Sequence, residues 1–240
     1  MQPIKSGELS GSAQLVERQM LLWNARQRAH ETAEEKAHIY RFITISRDVG
    51  SLGDALASGL ASHLGWHVYD REIVDYIAQN SHVRQNLVQL FDEKDQNLIH
   101  DTVQRLLGMI EGGTFGADDY HEALYKTLVS LGTRGRAIFI GRGANFVLKG
   151  HPGLHIRVMA SPDVRVERLC LRWHVTPNEA RQQMRHLDLE RKNYIRHHFR
   201  QDTDDPSHYD LLLNTDHISP EQAVASVLSV MKVQSVGSSI

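Results

Sequence analysis

The chain has a single cysteine, Cys170, among its 240 residues. That excludes an intrachain disulfide and a thiolate metal cluster. No apolar run approaches the roughly 20 residues a membrane-spanning helix needs. The stretch from Met1 to Gln14 has no apolar core of a secretory leader. Neither sign of charge dominates: 27 Lys and Arg stand against 29 Asp and Glu, for a net charge of −2. Such a balance offers no global basic field for nucleic acid or an anionic membrane. The expectation is a cytoplasmic protein with neither a nucleic-acid nor a membrane partner. Histidine alone is plentiful, at 15. No H-E-x-x-H spacing occurs, and adjacent residues such as His197 and His198 face different directions on a helix. Surface or internally satisfied histidines are a simpler reading than a metal site.

What is present is an ordinary globular composition, 41% hydrophobic and 23% charged, enough for one α/β domain with an appendage. Residues 1–38 read as an N-terminal extension. Its stretch from Ala13 to about His38 carries a narrow apolar stripe (Leu15, Met20, Leu22, Trp23) among charges. Such a helix suits packing on the back of the domain or building a homodimer. Residues 39–233 read as the domain proper, and 234–240 as a frayed tail.

Within the domain, short apolar strands alternate with helices. Strands are expected at Phe42–Ser46, His67–Tyr69, Ala137–Ile140, Leu154–Met159 and Tyr209–Leu213. Helices are expected over Gly53–Leu64, Arg71–Asn80, most of 84–110, Tyr120–Leu131, from Pro162, over Pro177–Phe199 and from Pro220. A mobile loop is expected at Glu111–Gly116 and a turn at Gly132–Arg136. Ser161-Pro162, Thr176-Pro177-Asn178-Glu179 and Ser219-Pro220 are helix starts with proline at the first helical position. Cys170 reads as a core residue of its helix. Strand–helix alternation of this kind gives a parallel sheet covered on both faces. Ligands of such sheets bind beyond the carboxyl ends of the strands.

Three of those ends are suggestive. Gly50-Ser51-Leu52-Gly53 follows the first strand, Asp70-Arg71 the second, and Gly141-Arg142-Gly143 the third. Strand, glycine loop and helix aim backbone N–H groups and a helix N-terminus at a phosphate. A full P-loop reads G-x-x-x-x-G-K-[ST]; here Asp54, not lysine, follows the last glycine. Simpler readings stand beside the functional ones. The glycines also suit a plain turn, Asp70 a plain N-cap, and Arg185, Asp188 and Arg191 a solvated helix face.

Taken together the motifs resemble the cytidylate kinase-like family of P-loop proteins. They are Ser46-Arg47-Asp48-x-Gly50-Ser51-x-Gly53, Tyr69-Asp70-Arg71-Glu72-Ile73-Val74 and Ile140-Gly141-Arg142-Gly143-Ala144-Asn145-Phe146. Asp188-x-x-Arg191-x-x-Tyr194, Phe199-x-x-Asp202 and Tyr209-Asp210-Leu211-x-Leu213-Asn214-Thr215 complete the set. The likeness spans about residues 13–232 and implies the nucleoside monophosphate kinase fold, with a five-stranded parallel sheet, a monophosphate-binding helical region and a lid. It implies ATP and Mg2+ as cofactors and a small-molecule nucleotide as partner. Donor phosphates would lie on the segment Gly50, Ser51, Leu52, Gly53, Asp54, Ala55 with Arg47 beside it, Ser51 touching magnesium. Asp70, Arg71, Gly141, Arg142 and Gly143 would hold the acceptor. Arg142, with Arg185, Asp188 and Arg191 of the lid, would be the catalytic set.

Three residues depart from the family pattern. Leu52 stands where members have glycine, Asp54 reverses a charge, and Gly143 replaces an aspartate. Three functions therefore remain: an ATP-dependent (d)CMP or nucleoside monophosphate kinase, a catalytically impaired relative that binds nucleotide or protein, and a kinase for a non-nucleotide acceptor.

Overall fold

The computed structural model describes residues 40–110 and 119–236. The expected N-terminal helix, the homodimer it would build, the loop at 111–116 and the last four residues lie outside the described residues. Five strands form one sheet: β1 (Phe42–Arg47), β2 (His67–Tyr69), β3 (Ala137–Ile140), β4 (Gly153–Met159) and β5 (Leu211–Asn214). Their order is β2-β3-β1-β4-β5, and all four pairings are parallel. The strand ends that sequence reading singled out therefore share one edge of the sheet.

Alternation along β1 divides the core. Ile43 and Ile45 pack on one face against α1 (Gly53–Leu64) and α9 (Pro220–Val236). Phe42 faces the other layer, built from α2 (Arg71–Gln79), α3 (Ser81–Gln89), α4 (Glu93–Ile110), α5 (Asp119–Arg134) and the short α6 (Ala144–Val147). Burial on both faces is why the strands read as nearly continuous apolar runs. A third cluster joins Val49 of the glycine loop to Val166 and Leu169 of α7 (Pro162–Trp173) and to Ala180 and Met184 of α8 (Pro177–Phe199). That cluster fixes the loop against the two helices that overhang the strand ends. Cys170 packs on it half-buried.

Local signals operate as expected at several ends. Asp70 accepts from the Ile73 N–H at 3.0 Å. Thr176 and Glu179 form the full capping box, the Glu179 carboxylate accepting the Thr176 N–H at 2.8 Å. Gly65 ends α1 in the left-handed region. Two expectations need correction. Helix α5 continues through Gly132 to Arg134, because a glycine there lets Leu148 and Phe42 close over the helix. Strand β5 begins at Leu211 rather than Tyr209, since Pro206–His208 form a 3-10 turn just before it.

Candidate active site

A cleft of about 1050 Å³ opens at the carboxyl ends of β1, β2 and β3. Ser46, Arg47, Asp48, Asp54, Asp70, Arg71, Gly141, Arg142, Gly143, Asp188 and Arg191 line it, whereas Gly50, Ser51, Leu52, Gly53 and Ala55 of the glycine loop do not. Arg185 is exposed on α8 and does not line it.

The glycine loop is held from below. Gly50 (φ +81°) and Leu52 (φ +66°) both lie in the left-handed region. Leucine has a Cβ that this conformation crowds, at a cost of about 1–2 kcal/mol. The Ser51 side chain is fully buried, and its hydroxyl donates to the carbonyls of Asp48 (2.9 Å) and Val158 (3.1 Å). The expected magnesium contact of Ser51 does not fit this geometry, for its hydroxyl is spent inside the fold. Ala55 stands at the position where a full P-loop has serine or threonine, and it has no hydroxyl. Among the described residues no cluster of three His, Cys, Asp or Glu is placed to hold a metal ion.

A polyphosphate fits better. Leu56 makes the first helical bond of α1, to the Leu52 carbonyl, so the amides just before it sit at a free helix N-terminus. Arg47 reaches this terminus: its Nε donates to Asp54 at 3.3 Å. Arg191 crosses from α8 and donates from Nη1 to the Arg47 carbonyl at 3.1 Å. Burial, then the adjacent Arg47, push the Arg191 pKa down to about 10. Two guanidiniums held together in a half-dry cleft favour an anion between them.

After β3, Arg142 has φ +54° between two glycines in the same region. Its guanidinium pairs with Asp75 and lies 4.5 Å from the centre of the Tyr194 ring. Tyr120 donates to the second Asp75 oxygen at 3.1 Å. Burial opposes the charge on Arg142, but Tyr194, Tyr120 and Asp75 outweigh it and raise its pKa. Arg142 Nε and Asn145 Nδ2 are both buried without a hydrogen-bond partner among the described residues. Asn145 lies with Arg142 in the cleft lining. Buried donors left unpaired are costly.

Sequence reading missed the buried ion network under the loop. Arg157 of β4 donates to Asp48 at 2.5 Å and to Asp204 at 3.1 Å. Arg165 donates to Asp188 at 2.6 Å, and Arg168 to the Thr215 carbonyl at 2.5 Å. Asp75 and Tyr120 were missed as well. One signal was available: an arginine inside the apolar strand Leu154–Met159 has to be paired.

A parallel sheet ordered 2-3-1-4-5, with a glycine loop leading from β1 into a helix beside an arginine-lined cleft, defines a nucleotide-binding kinase fold of the P-loop class. The model of the cytidylate kinase-like family matches residues 42–217, and the chain belongs to that family. Among solved structures, an uncharacterized protein from Eubacterium ventriosum shares the fold at 16% identity. Its TM-score is 0.59, with 80% of this chain and 98% of that chain covered. Shikimate kinase from Acinetobacter baumannii, in complex with shikimate, matches at 14% identity and TM-score 0.43, covering 81% and 94%. A gluconokinase from Sinorhizobium meliloti 1021 matches at 16% and 0.41, covering 82% and 97%. No curated protein matches the chain. Among the described residues no helix is long and apolar enough to cross a membrane.

Proposed function

We propose that the protein is a phosphotransferase that takes the terminal phosphate of ATP and passes it to a nucleoside monophosphate, CMP or dCMP first among them. The observation that carries this reading is the convergence of Arg47, Arg71, Arg142 and Arg191 on one cleft at the strand ends. Phosphoryl transfer asks a protein mainly for positioning and for positive charge around the moving group. In this reading the loop 50–55 and Arg47 hold the donor, and Arg191 faces the transferred phosphate. Arg142 holds the acceptor phosphate through the part of its guanidinium that Asp75 leaves open. Asp70 and Arg71 flank the acceptor, and Asn145 adds its unpaired N–H group.

The pairing of Arg142 with Asp75 gives that arginine a fixed direction. Its planar fork, stacked on Tyr194, cannot follow an acceptor as a solvated lysine would. Asp188 fixes α8 to the loop by accepting the Val49 N–H, while Arg185 stays exposed on α8 outside the cleft lining. The test is a coupled assay with ATP and each nucleoside monophosphate in turn. Turnover with CMP, lost on Arg142→Ala in a folded variant, supports the reading; no turnover with any of them removes it.

A second reading has its own observation. Asp54 and Ala55 stand where a P-loop has lysine and a hydroxyl, and the Ser51 hydroxyl points inward. These favour a family member that binds nucleotide without transferring phosphate. Calorimetric binding of ATP, combined with silence of every acceptor in the coupled assay, selects it.

A further inference from the structure

A complete phosphate loop carries its cation on the helix, directly after the last glycine. Here that place holds Asp54, and a cation arrives from elsewhere. Arg47, the last residue of β1, lies with its Nε 3.3 Å from the Asp54 carboxylate. Arg172 is the looser neighbour, at 3.9 Å with 68% of its side chain exposed.

The path of Arg47 is kept open by two glycines. A Cβ on Gly53 would lie 2.6 Å from Arg47 Cβ and 2.8 Å from its Cγ. A Cβ on Gly141 would lie 2.8 Å from Arg47 Nη1. The side chain thus threads between the phosphate loop and the turn after β3, that is, between the donor and acceptor halves of the cleft. It is 16% exposed yet lines the cleft. Among the described residues its guanidinium donates one hydrogen bond, from Nε to Asp54. The Nη groups remain for a ligand. Burial holds the Arg47 pKa below its ordinary value despite Asp54, and Arg71 adds to the shift. A poorly solvated cation gains more from a bound anion than a surface one does.

We propose that Arg47 replaces the missing P-loop lysine and binds the terminal phosphates of a nucleoside triphosphate, with Asp54 as its positioning residue. This rests on the reading of loop 50–55 as the donor site. It accounts for the charge reversal: a lysine at 54 would repel Arg47, whereas a carboxylate aims it. A surface ion pair of no consequence for binding would need neither the two glycines nor the burial.

The experiment is calorimetry on the full chain with ATP, and with AMP as a probe lacking the terminal phosphates. Arg47→Ala is expected to weaken ATP binding about tenfold or more while leaving AMP binding within about twofold. The double variant Arg47→Ala with Asp54→Lys is expected to recover most of the ATP affinity. It contains no 47–54 ion pair, so recovery follows from restored charge and not from restored packing. Thermal unfolding checks that each variant is folded, and Arg47→Gln, which also removes the charge, replaces Arg47→Ala if the latter is not. ATP binding by Arg47→Ala as tight as wild type overturns the proposal and leaves the donor site standing. So does a double variant as weak as Arg47→Ala alone. A wild-type protein that binds neither ATP nor AMP overturns the donor site and this proposal together.

Discussion

The Asp188 carboxylate accepts the backbone N–H of Val49 at 2.9 Å, joining α8 to the phosphate loop across 139 positions of sequence. Its second oxygen accepts from Arg165 Nη1 at 2.6 Å, and the same Nη1 donates to the Val49 carbonyl at 3.2 Å. The three residues close a ring in which each residue bonds to the other two. Asp188→Ala leaves the Arg165 guanidinium buried without its anion and orphans the Val49 amide. The expected loss is about 2–4 kcal/mol in urea unfolding at neutral pH. Asp188→Asn keeps an acceptor for Val49 and is expected to lose clearly less. Equal losses in the two variants would show that the ring does not act as described.

Leu52 supplies the opposite sign. Its φ of +66° is one that glycine adopts freely and leucine does not. Leu52→Gly relieves that strain, partly offset by the greater freedom of the unfolded chain. The expected net gain is up to about 1 kcal/mol in the same assay. A loss of stability would mean that contacts of the Leu52 side chain outweigh the backbone term.

Gly143 stands where the family pattern has aspartate, and Phe199 is the reason that no side chain fits. A Cβ at Gly143 would run into the Phe199 ring, which stacks on Phe146 with centres 5.5 Å apart. The position also has φ +66°. Gly143→Ala is therefore expected to cost about 2 kcal/mol or more, from overpacking and strain together. Gly143→Asp is expected to cost at least as much, which a thermal-shift comparison reads directly. A tolerated aspartate would show that Phe199 moves aside easily.

His155 sets an acid limb to the stability curve. It lies buried in β4, its Nδ1 2.8 Å from the Thr44 hydroxyl. Burial lowers its pKa in spite of Asp210, and Lys149 and His151 add to the lowering. The folded form therefore binds its proton less readily than the unfolded one. Stability from this group is complete above the ordinary histidine value of about 6.5 and falls away as pH drops below it. In the range between about pH 6.5 and 5, His155→Gln is expected to flatten the fall of the unfolding midpoint. An unchanged slope would assign that fall to other groups.

The sequence made legible what depends on near neighbours. Short, nearly continuous apolar runs marked the strands, and Thr176 with Glu179 marked the start of α8. Gly50 and Gly53 marked the loop, and Leu52 stood out as the residue where family members have glycine, a position the structure holds at φ +66°. What stayed hidden depends on distant pairing. Arg142 meets Asp75 across 67 positions and Arg157 meets Asp48 across 109; no local pattern says which carboxylate a buried arginine finds. The inward turn of the Ser51 hydroxyl belongs to the same class, because Val158 lies 107 positions away. Ala55 was legible in principle: it is the next letter after Asp54 in the P-loop pattern.

The tethering of the glycine loop has a kinetic consequence. The Asp48 N–H is bonded to Val158, Val49 to Asp188 and Ser51 to Asp48, while Thr215 donates its hydroxyl to the Ser51 carbonyl at 3.0 Å. A loop bonded this way does not wait for a ligand to order it. Amide hydrogens at 48, 49 and 51 are then expected to exchange with deuterium slowly in the ligand-free protein, close to the rate of the β1 amides. Under the proposed function a nucleotide would meet a cradle already at rest, the entropy of ordering it settled at folding rather than at each encounter.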